Sequence, residues 1–356
     1  MNRMKIVTGL DIGSSKVSAV SAAIDKSGNF EILSQVTEPS SGVSRGLFAD
    51  LGKATVSVTA VLSKISRKIS AKPGDIYVSI SAPSIKGAAS RGMIPISLRG
   101  REVTKMDMAK CVNAASTIHL PFDRDIIHRI VHNFSVDDNL PVSNPLGLYA
   151  SRLFCEAYII TAESNLIQNI HKCVSSAGYD VKEVVFTAIA DGVSLLSEDD
   201  RKDGTILIDM GDSMTEAGIF EKGTLRDFEI IPLGARDMAD SPAASAVLGE
   251  TLAKISEKMN SYRLSGGNIG SAVLTGGLTF ADGIIELAES KLACPVRMGA
   301  AKDIKGDISS IDSVRLATAI GLVRYAHGKY MADIREHGNP ARTLWSKVVD
   351  LFNNYF

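Results

Sequence analysis

Short apolar runs alternate with longer helical patterns along this chain, and two of the short runs end in nearly the same polar sequence. Residues 10–15 read Leu-Asp-Ile-Gly-Ser-Ser, and residues 208–213 read Ile-Asp-Met-Gly-Asp-Ser. In both places the apolar run predicts a strand, and a second β-type run follows, at residues 17–22 and 216–220. This repeat predicts an internal duplication, with two similar lobes that each open on a strand, a D-x-G-x-S turn and a returning strand.

The first lobe has α/β order. Hydrophobic periodicity predicts strands at residues 5–10, 17–24, 30–36 and 75–81, and a helix at residues 51–69. Valine, leucine and isoleucine recur at helical spacing in that helix, and Pro73-Gly74 ends it. Strands that alternate with helices in this way favour an α/β fold.

Residues 84–160 have a different order and predict a compact unit of their own. The predicted elements are strands at residues 84–88, 92–97, 128–136 and 149–160, and a helix at residues 106–118. Thr104 and Asp107 have the spacing of a capping box at the start of that helix. His128 and His132 could suggest a metal site, but on a strand with no third ligand nearby they are interpreted as ordinary strand residues.

After this unit the α/β order returns, and the second lobe begins near residue 204. Thr161 is predicted to cap a helix that stops at Gly178. The next predictions are a strand at 181–186, a helix at 188–196, a charged connector at 198–204, a helix at 246–259, a strand at 271–274 and a helix at 281–293. Residues 316–322 are rich in small side chains, which predicts a closely packed helix between the lobes.

The paired D-x-G-x-S turns have the composition of a phosphate site. Glycine lets backbone N–H groups approach phosphate oxygens, serine adds a hydroxyl, and aspartate can hold a hydrated Mg²⁺ that balances the charge. Two such turns predict a phosphate shared between the lobes, and the alternative is a pair of unrelated hairpin turns. Gly276-Gly277, between a predicted strand and a predicted helix, indicates a further nucleotide contact, with a simple tight turn as the alternative.

Composition narrows the class of partner. The 356 residues are 45% hydrophobic, enough to bury cores for roughly two domains. Lys+Arg 39 against Asp+Glu 40 gives a net charge of -1, so no basic field favours nucleic acid and no nucleic-acid partner is expected.

The cysteines lack ligand spacing and are predicted to be reduced thiols of a cytoplasmic protein: Cys111, Cys155, Cys173 and Cys294. The chain starts directly on a strand, without an apolar signal core, and no apolar stretch approaches the ~20 residues of a spanning helix.

The C-terminal residues 341–356 follow a predicted flexible break at Gly338-Asn339-Pro340 and have an amphipathic helical pattern. At about 100° per residue, their large apolar side chains fall within an arc of about 160°. These side chains are Leu344, Trp345, Val348, Val349, Leu351, Phe352, Tyr355 and Phe356. The helix would span roughly 24 Å against roughly 30 Å of hydrocarbon, so it could lie in a membrane interface but not cross it. The alternatives are a helix docked on the protein's own core and a helix that binds a partner protein.

These motifs resemble those of the actin, Hsp70 and sugar-kinase superfamily, and within it the chain is most similar to the FtsA family of bacterial actin homologues. The matching segments are the first phosphate motif at residues 9–16, the basic turn at 43–46, the second phosphate motif at 208–211, the adenosine motif at 274–277 and the second connecting helix at 317–322. Residues 91–96 and 144–148 resemble the subdomain whose insertion distinguishes FtsA from actin and the kinases.

The resemblance implies an α/β, actin-like two-lobe fold, a duplicated ribonuclease-H-like domain, with an FtsA-type inserted subdomain. The implied divisions are the first lobe at 1–83 and 161–203, the inserted subdomain at 84–160, a reduced second lobe with its connecting helix at 204–333, a linker at 334–340 and a membrane-targeting helix at 341–356. ATP and Mg²⁺ are the implied cofactors, with Asp11 and Asp209 holding the metal through water. The implied nucleotide-binding residues are Asp11, Gly13, Ser14, Ser15, Lys16, Asp209, Gly211, Ser213, Thr215, Gly276, Gly277 and Leu278.

Two departures from the family pattern change these expectations. The family's second phosphate loop usually runs D-x-G-G-G-T-T-D, whereas this chain replaces two glycines, a threonine and the aspartate by Asp212, Ser213, Met214 and Glu216. Because Asp212 adds a negative charge and a side chain where backbone would approach a triphosphate, nucleotide binding is expected to be weakened. After residues 230–235 only a short Ala/Ser/Pro segment precedes the next helix, where the family places a subdomain that docks the C-terminal peptide of FtsZ.

The resemblance therefore implies a membrane adaptor of bacterial cell division that tethers FtsZ filaments, or other division proteins, to the cytoplasmic membrane and assembles with itself. Its implied location is the cytoplasmic face of the membrane at the division septum, as a peripheral protein. It would be at most a weak ATPase. The alternatives are an adaptor of pilus assembly similar to PilM, and an ATPase or phosphotransferase of the superfamily.

Overall fold

The computed structural model of the chain describes residues 4–239, 244–302, 304 and 310–337. The strands, numbered along the chain, are β1 (Lys5–Ile12), β2 (Lys16–Ile24), β3 (Phe30–Pro39), β4 (Val43–Ser44), β5 (Leu47–Phe48), β6 (Asp75–Ile80), β7 (Lys86–Pro95), β8 (Arg101–Glu102), β9 (Arg124–Val136), β10 (Tyr149–Ala150), β11 (Arg152–Glu163), β12 (Val181–Phe186), β13 (Thr205–Met210), β14 (Thr215–Glu221), β15 (Thr224–Ile231), β16 (Ser271–Thr275) and β17 (Val296–Met298). The helices are α1 (Leu51–Ile69), α2 (Lys105–Ser116), α3 (Ser164–Ser176), α4 (Thr187–Leu195), α5 (Glu198–Asp203), α6 (Ala235–Ala239), α7 (Ala244–Leu264), α8 (Ile284–Leu292), α9 (Ser310–Arg315) and α10 (Ala317–His337), and a 3-10 turn covers Gly277–Phe280.

The chain divides into two compact units. Of the described residues, the first contains those within 4–84 and 165–327, and the second contains 85–164 and 328–337. Each unit has its own sheets and its own packed side chains.

The first unit repeats one sheet topology twice, once in each lobe. One sheet has the strand order β12-β6-β1-β2-β3 and the other has the order β17-β16-β13-β14-β15. In both, three antiparallel strands are followed by helix, α1 in the first lobe and α6 and α7 in the second, and then by a strand that pairs in parallel with the first strand, β6 with β1 and β16 with β13. The predicted duplication and the actin-like α/β fold are confirmed.

Helix α1 begins and ends at the residues that its pattern predicts. The side chain of Asp50 accepts a hydrogen bond from the backbone N–H of Lys53, which caps the first turn, and Ser70 ends the helix with φ of 52°. The buried face carries aliphatic side chains four or three residues apart, including Val58, Leu62 and Ile65. Each such side chain stabilises the fold by about 1.5 to 3 kcal/mol when fully buried.

Helix α10 packs against its neighbours with backbone in contact with backbone. A methyl group on Gly9 of β1 would lie 2.3 Å from the carbonyl oxygen of Ala319, and one on Gly321 would lie 2.0 Å from that of Ala190 in α4. Glycine is therefore required at both positions, because any side chain would force the elements apart. This confirms the closely packed helix predicted from the small residues at 316–322.

In the second unit, helix α2 lies on a sheet with the strand order β7-β11-β9. The predicted capping box is confirmed, since the Thr104 hydroxyl accepts from the backbone N–H of Asp107, and the Asp107 carboxylate accepts from that of Thr104. Arg101 adds two hydrogen bonds to the same carboxylate, of 2.6 and 2.8 Å, which hold the pKa of Asp107 far below its usual range. A methyl group on Gly92 would lie 2.2 Å from the amide nitrogen of Ala115, so α2 packs directly on β7.

Several predicted boundaries in this unit are wrong because pairing between strands overrides local sequence signals. The two strands predicted at 84–88 and 92–97 are replaced by one strand, β7 (Lys86–Pro95), which pairs with β11 along its whole length. Thr161 does not cap α3, because β11 continues to Glu163 and Thr161 accepts hydrogen bonds from Arg124. The strand predicted at 149–160 is interrupted at Ser151, whose backbone N–H donates to the carboxylate of Asp137.

Three further predictions differ at helices. Residues 198–204, predicted as a connector, contain α5, which Ser197 and Asp200 start with a capping box. The helix predicted at 281–293 begins later, at Ile284, because Gly283 before it has φ of 74°. Helix α10 continues to His337, so part of the predicted linker at 334–340 is helical. The predicted membrane-targeting helix at 341–356 lies outside the described residues, and within them no helix is long and apolar enough to span a membrane.

Candidate functional site

The two D-x-G turns of the first unit have the same backbone geometry. The N–H of Gly13 donates a 3.0 Å hydrogen bond to the carbonyl oxygen of Lys16, and the N–H of Gly211 donates one of 3.0 Å to that of Met214. A methyl group on either glycine would lie 3.0 Å from the same carbonyl oxygen. Each turn is therefore tightly packed at its glycine, and the repeat in the sequence is a repeat in structure.

Both turns face one cavity of about 610 Å³ in the first unit. The predicted residues that line it are Asp11, Gly13, Ser14, Ser15, Lys16, Asp209, Gly211, Ser213, Gly276 and Gly277. They come from both lobes, so the structure brings together residues that are far apart in the sequence. A cavity of this size, with convergent polar groups, is typical of a small-molecule site.

Two predicted residues lie outside the lining of this cavity. Thr215 is fully buried at the start of β14, where its hydroxyl donates a 2.9 Å hydrogen bond to the carbonyl oxygen of Leu233. Leu278 packs against the hydrophobic core of the second lobe. Thr215 thus holds the second turn in place, and Leu278 holds the 3-10 turn, without facing the cavity.

Sequence reasoning missed several lining residues at the end of β6. The parallel register places Leu10 opposite Val78, so Ser79 stands beside Asp11 and donates to its carboxylate at 2.7 Å. Ser81 lines the cavity one step further along. Ligands of open α/β sheets bind beyond the carboxyl ends of parallel strands, and that rule was the signal that could have identified both serines.

Buried acidic side chains give the cavity an unusual electrostatic character. Burial raises the pKa of Asp11, although the Ser79 hydrogen bond and the Lys16 charge oppose the change. Burial, together with the nearby charge of Asp11, raises the pKa of Asp209 to about 6. Two buried carboxylates that repel each other favour either a proton or a cation between them.

Glu216 and Asp191 extend this group of carboxylates. Burial, followed by repulsion from Asp209, raises the pKa of Glu216 to about 8, although Ser81 donates a hydrogen bond to it. Burial also raises the pKa of Asp191 well above its usual range, and its carboxylate accepts a 2.8 Å hydrogen bond from Thr318. Within the part of the chain that the structure describes, no three Asp, Glu, His or Cys side chains converge closely enough to ligate a metal directly.

The charge of Asp212, which stands where the family pattern has a glycine, is balanced by a neighbouring arginine. Arg236 donates a 2.6 Å hydrogen bond to the carboxylate of Asp212 and a backbone hydrogen bond of 2.8 Å to its carbonyl oxygen. Gly234 permits this packing, since a methyl group there would lie 2.6 Å from the amide nitrogen of Met214. The negative charge of Asp212 is therefore paired within the second lobe.

Gly276 lines the cavity immediately before the 3-10 turn. Its φ of 91° favours glycine, and a methyl group there would lie 2.4 Å from Oδ1 of Asp209. A methyl group on Gly277 would meet no atom within 4 Å, which leaves open space above its backbone. The predicted Gly-Gly turn thus gives a ligand access to backbone next to the Asp209 carboxylate.

Two family models match separate parts of the chain. Residues 83–161 match the family model of the SHS2 domain inserted in FtsA, and residues 206–321 match that of the cell division protein FtsA. The first match includes the sheet and helix of the second unit. The second match includes the second D-x-G turn and Gly276-Gly277.

Individual relatives extend these matches over most of the chain. The cell division protein FtsA of Borreliella burgdorferi is 28% identical over 382 residues, covering 90% of this chain and 91% of that protein. The FtsA of Pseudomonas aeruginosa is 26% identical over 373 residues, covering 90% of this chain and 89% of that protein. Among solved structures, the PilM-PilN type IV pilus biogenesis complex has a TM-score of 0.66 at 13% identity, covering 89% of this chain and 97% of that chain. This last likeness concerns the fold alone.

Proposed function

Since the chain belongs to the FtsA family of actin-like cell division proteins, we propose that it is a nucleotide-binding membrane adaptor that links FtsZ filaments to the cytoplasmic membrane. In this proposal it acts at the cytoplasmic face of the membrane at the division septum, as a peripheral protein, and it assembles with itself. FtsZ, or another division protein, is the filament partner.

The observation that supports nucleotide binding is the pair of matching turns at Gly13 and Gly211, which face one cavity from opposite lobes. Backbone N–H groups and serine hydroxyls of such turns bind phosphate oxygens. Ser14, Ser15 and Lys16 would contact the phosphates from the first lobe. Gly276 and Gly277 would contact the nucleoside from the second.

The chemistry of the buried carboxylates fits a hydrated Mg²⁺. Asp11 and Asp209 both have raised pKa values, and a divalent cation between them would relieve their repulsion. Mg²⁺ commonly retains several waters and takes one or two carboxylates, so water-mediated contacts suit this pair. When bound, the metal would neutralise phosphate charge, and hydrolysis is proposed to be slow.

Membrane attachment is proposed from the sequence pattern of residues 341–356. Full burial of one large apolar side chain is worth about 1.5 to 3 kcal/mol, and interfacial insertion is only partial. A single tail should therefore bind weakly, whereas several tails on one filament would bind firmly through effective concentration.

One experiment tests the anchor, the nucleotide and the assembly together. The full chain is sedimented with vesicles that contain anionic lipid, with and without Mg²⁺-ATP, and the pellet is examined by electron microscopy. We expect the chain in the pellet as filaments or short oligomers. A matched variant without residues 341–356 should remain in the supernatant.

The likeness to PilM favours a second candidate, an actin-fold adaptor that does not bind lipid through its tail. Under that alternative the full chain and the shortened chain would both stay in the supernatant. Removing the tail would also lower the melting temperature, because the tail would be packed against the protein.

A further inference from the structure

Hydrogen bonds connect the two lobes of the first unit directly at the second D-x-G turn. We call the connected residues the cross-lobe latch; they are Ser14, Arg45 and Ser81 of the first lobe and Ser213, Glu216 and Asp237 of the second. Ser14, Ser81, Ser213 and Glu216 also line the cavity. The latch therefore lies at the place where the two phosphate turns meet.

Ser213 is the centre of the latch. Its Oγ lies 2.7 Å from Oγ of Ser14, within hydrogen-bond distance, and it accepts a 2.9 Å hydrogen bond from the backbone N–H of Arg45. The Ser213 side chain is buried, with 5% of its surface exposed. Both hydrogen bonds are partly buried, and both connect the second turn to the first lobe.

Arg45 is presented by the short β4–β5 hairpin, which lies on the end of β6. A methyl group on Gly46 would lie 1.7 Å from the carbonyl oxygen of Ser81, so the hairpin backbone is in contact with that strand. The Arg45 guanidinium donates a 3.1 Å hydrogen bond to Asp237, which also accepts from the N–H of Gly234 at 2.9 Å. This ion pair is partly exposed and adds little by itself, but it directs the hairpin toward the second lobe.

Glu216 forms the third connection, deeper in the cavity. Its carboxyl group accepts a hydrogen bond from the Ser81 hydroxyl, and only 4% of the residue is exposed. Because the bond joins strand β14 to the residue after β6, it ties the two sheets together.

Two of the three second-lobe residues of the latch depart from the family pattern. Ser213 stands where the pattern has a glycine, and Glu216 stands where it has an aspartate. A glycine at 213 has no hydroxyl to bond Ser14 or Arg45. An aspartate at 216 is one methylene shorter and would reach less far toward Ser81.

We propose that the cross-lobe latch holds the two lobes together around the cavity, so that the cleft between them is closed. A nucleotide phosphate must then displace the Ser14–Ser213 hydrogen bond to enter the cavity. The second turn would thus regulate the site, so that closure of the lobes does not depend on nucleotide. The competition with phosphate rests on the nucleotide site proposed above, whereas the closure rests only on the hydrogen bonds between the lobes.

Closure is tested by measuring the distance between the lobes. Spin labels are placed at the exposed positions Val56 on α1 and Ser290 on α8, each changed to Cys, in a background with Cys294→Ser. We expect one narrow distance distribution without nucleotide. Ser213→Gly combined with Glu216→Ala should broaden it and shift it to longer distances.

A control variant separates the latch from general effects on the hairpin. Ser44→Ala changes an exposed serine of β4 that takes no part in the latch, and it should leave the distribution unchanged. If the Ser213→Gly, Glu216→Ala variant keeps the narrow distribution of the parent while remaining folded by circular dichroism, the latch does not hold the cleft closed.

Competition is tested by titrating Mg²⁺-ADP into the parent, into Ser213→Ala and into Ser44→Ala. The loss of one hydrogen bond changes an equilibrium by roughly two- to tenfold, so Ser213→Ala should bind ADP more tightly by that factor. Weaker binding by Ser213→Ala would instead make its hydroxyl a phosphate ligand and overturn the competition.

The two failures are distinguishable. If none of the proteins binds Mg²⁺-ADP, the proposed nucleotide site is wrong, and so is the proposed competition. The spin-label distances still decide whether the latch closes the cleft. If all of them bind ADP equally, the nucleotide site stands and the competition is wrong.

Discussion

The hydroxyl of Ser79 donates a 2.7 Å hydrogen bond to the carboxylate of Asp11. In the second lobe, the parallel register places Thr275 beside Asp209 in the same way, but the Thr275 hydroxyl is buried and has no hydrogen-bond partner among the residues that the structure describes. The lobes therefore repeat a backbone while their hydrogen bonds differ. The Asp11 carboxylate accepts a hydrogen bond from Ser79, whereas Asp209 interacts with the charges of Asp11 and Lys16. The two carboxylates of the site are therefore not equivalent.

The first prediction concerns nucleotide binding. Asp11→Asn should weaken Mg²⁺-ATP binding at least tenfold, because it removes a charge that balances the metal, and Gly13→Ala should do the same by distorting the first turn. Titration calorimetry measures both, with Asp199→Asn on the exposed helix α5 as the control. Rapid multiple turnover of ATP by the purified protein would contradict a weak ATPase and favour the phosphotransferase alternative.

The second prediction concerns pH. Glu216 has a pKa of about 8 in the folded protein against 4.5 for an ordinary glutamate. The folded state therefore holds the proton more tightly, so this stabilisation is complete below pH 4.5 and is lost as the pH rises toward 8. At about 1.4 kcal/mol per pKa unit, the change is on the order of a few kcal/mol.

Glu216→Gln keeps the shape and the acceptor for Ser81 while removing the titration. Its free energy of unfolding should vary less between pH 5 and pH 8 than that of the parent, and it should exceed the parent's at pH 8, as measured by urea denaturation at each pH. Glu198→Gln, which changes an exposed glutamate of α5, should follow the parent. An unchanged pH dependence in Glu216→Gln would show that Glu216 titrates normally.

Sequence pattern was sufficient where an element is determined by its own residues. Helix α1 has a side-chain cap at Asp50 and a regular apolar face, so its bounds could be predicted from its sequence. The prediction that Thr161 caps a helix was wrong. A threonine before an apolar helical pattern is typical of an N-cap, but β11 pairs with two neighbouring strands and extends beyond Thr161. Such pairing is set by residues far away in the chain.

The site was predictable to the same extent. The turns at Gly13 and Gly211 are local motifs, and the sequence indicates both. Ser79 and Ser81 carry no motif, because they reach the cavity only through the register between β1 and β6. The pairing of Asp212 with Arg236 was also missed, because it depends on the path of the chain after β15.

The third prediction concerns stability at the contact between β1 and α10. Gly9→Ala should lower the free energy of unfolding by about 1 to 3 kcal/mol or more, since its methyl group would lie 2.3 Å from the Ala319 carbonyl oxygen. Thermal and urea denaturation measure the change. Gly249→Ala in α7 is the matched control, because a methyl group there meets no atom within 4 Å and alanine favours the helix. Equal stability of Gly9→Ala and the parent would mean that β1 and α10 are further apart than described.

The fourth prediction concerns the C-terminal pattern. Changing Trp345 and Phe352 together to Glu places charges within the apolar arc, so binding to anionic vesicles in a sedimentation assay should be lost. The melting temperature should stay within about a degree of the parent's, because a membrane helix is not part of a core. Asn353→Glu, on the polar side, is the control and should still bind. A large fall in melting temperature would favour a tail docked on the protein.

The last prediction concerns self-assembly through the second unit. A head-to-tail contact can propagate without closing, so one such interface is sufficient for a filament. We expect the full chain to form filaments or short oligomers on anionic lipid monolayers, seen by negative-stain microscopy. Arg99 is exposed on the loop after β7, and Arg99→Glu should shorten the assemblies by reversing a surface charge.

A charge reversal at the nearby Arg101 does not test the same interface. Because its guanidinium makes two hydrogen bonds to the buried carboxylate of Asp107, Arg101→Glu would oppose two carboxylates and damage the second unit itself. Arg101→Glu should therefore lower the melting temperature, whereas Arg99→Glu should not, and only Arg99→Glu reports on the interface. If the parent stays monomeric on lipid at high surface density, by microscopy and by crosslinking, self-assembly is wrong and a monomeric adaptor is left.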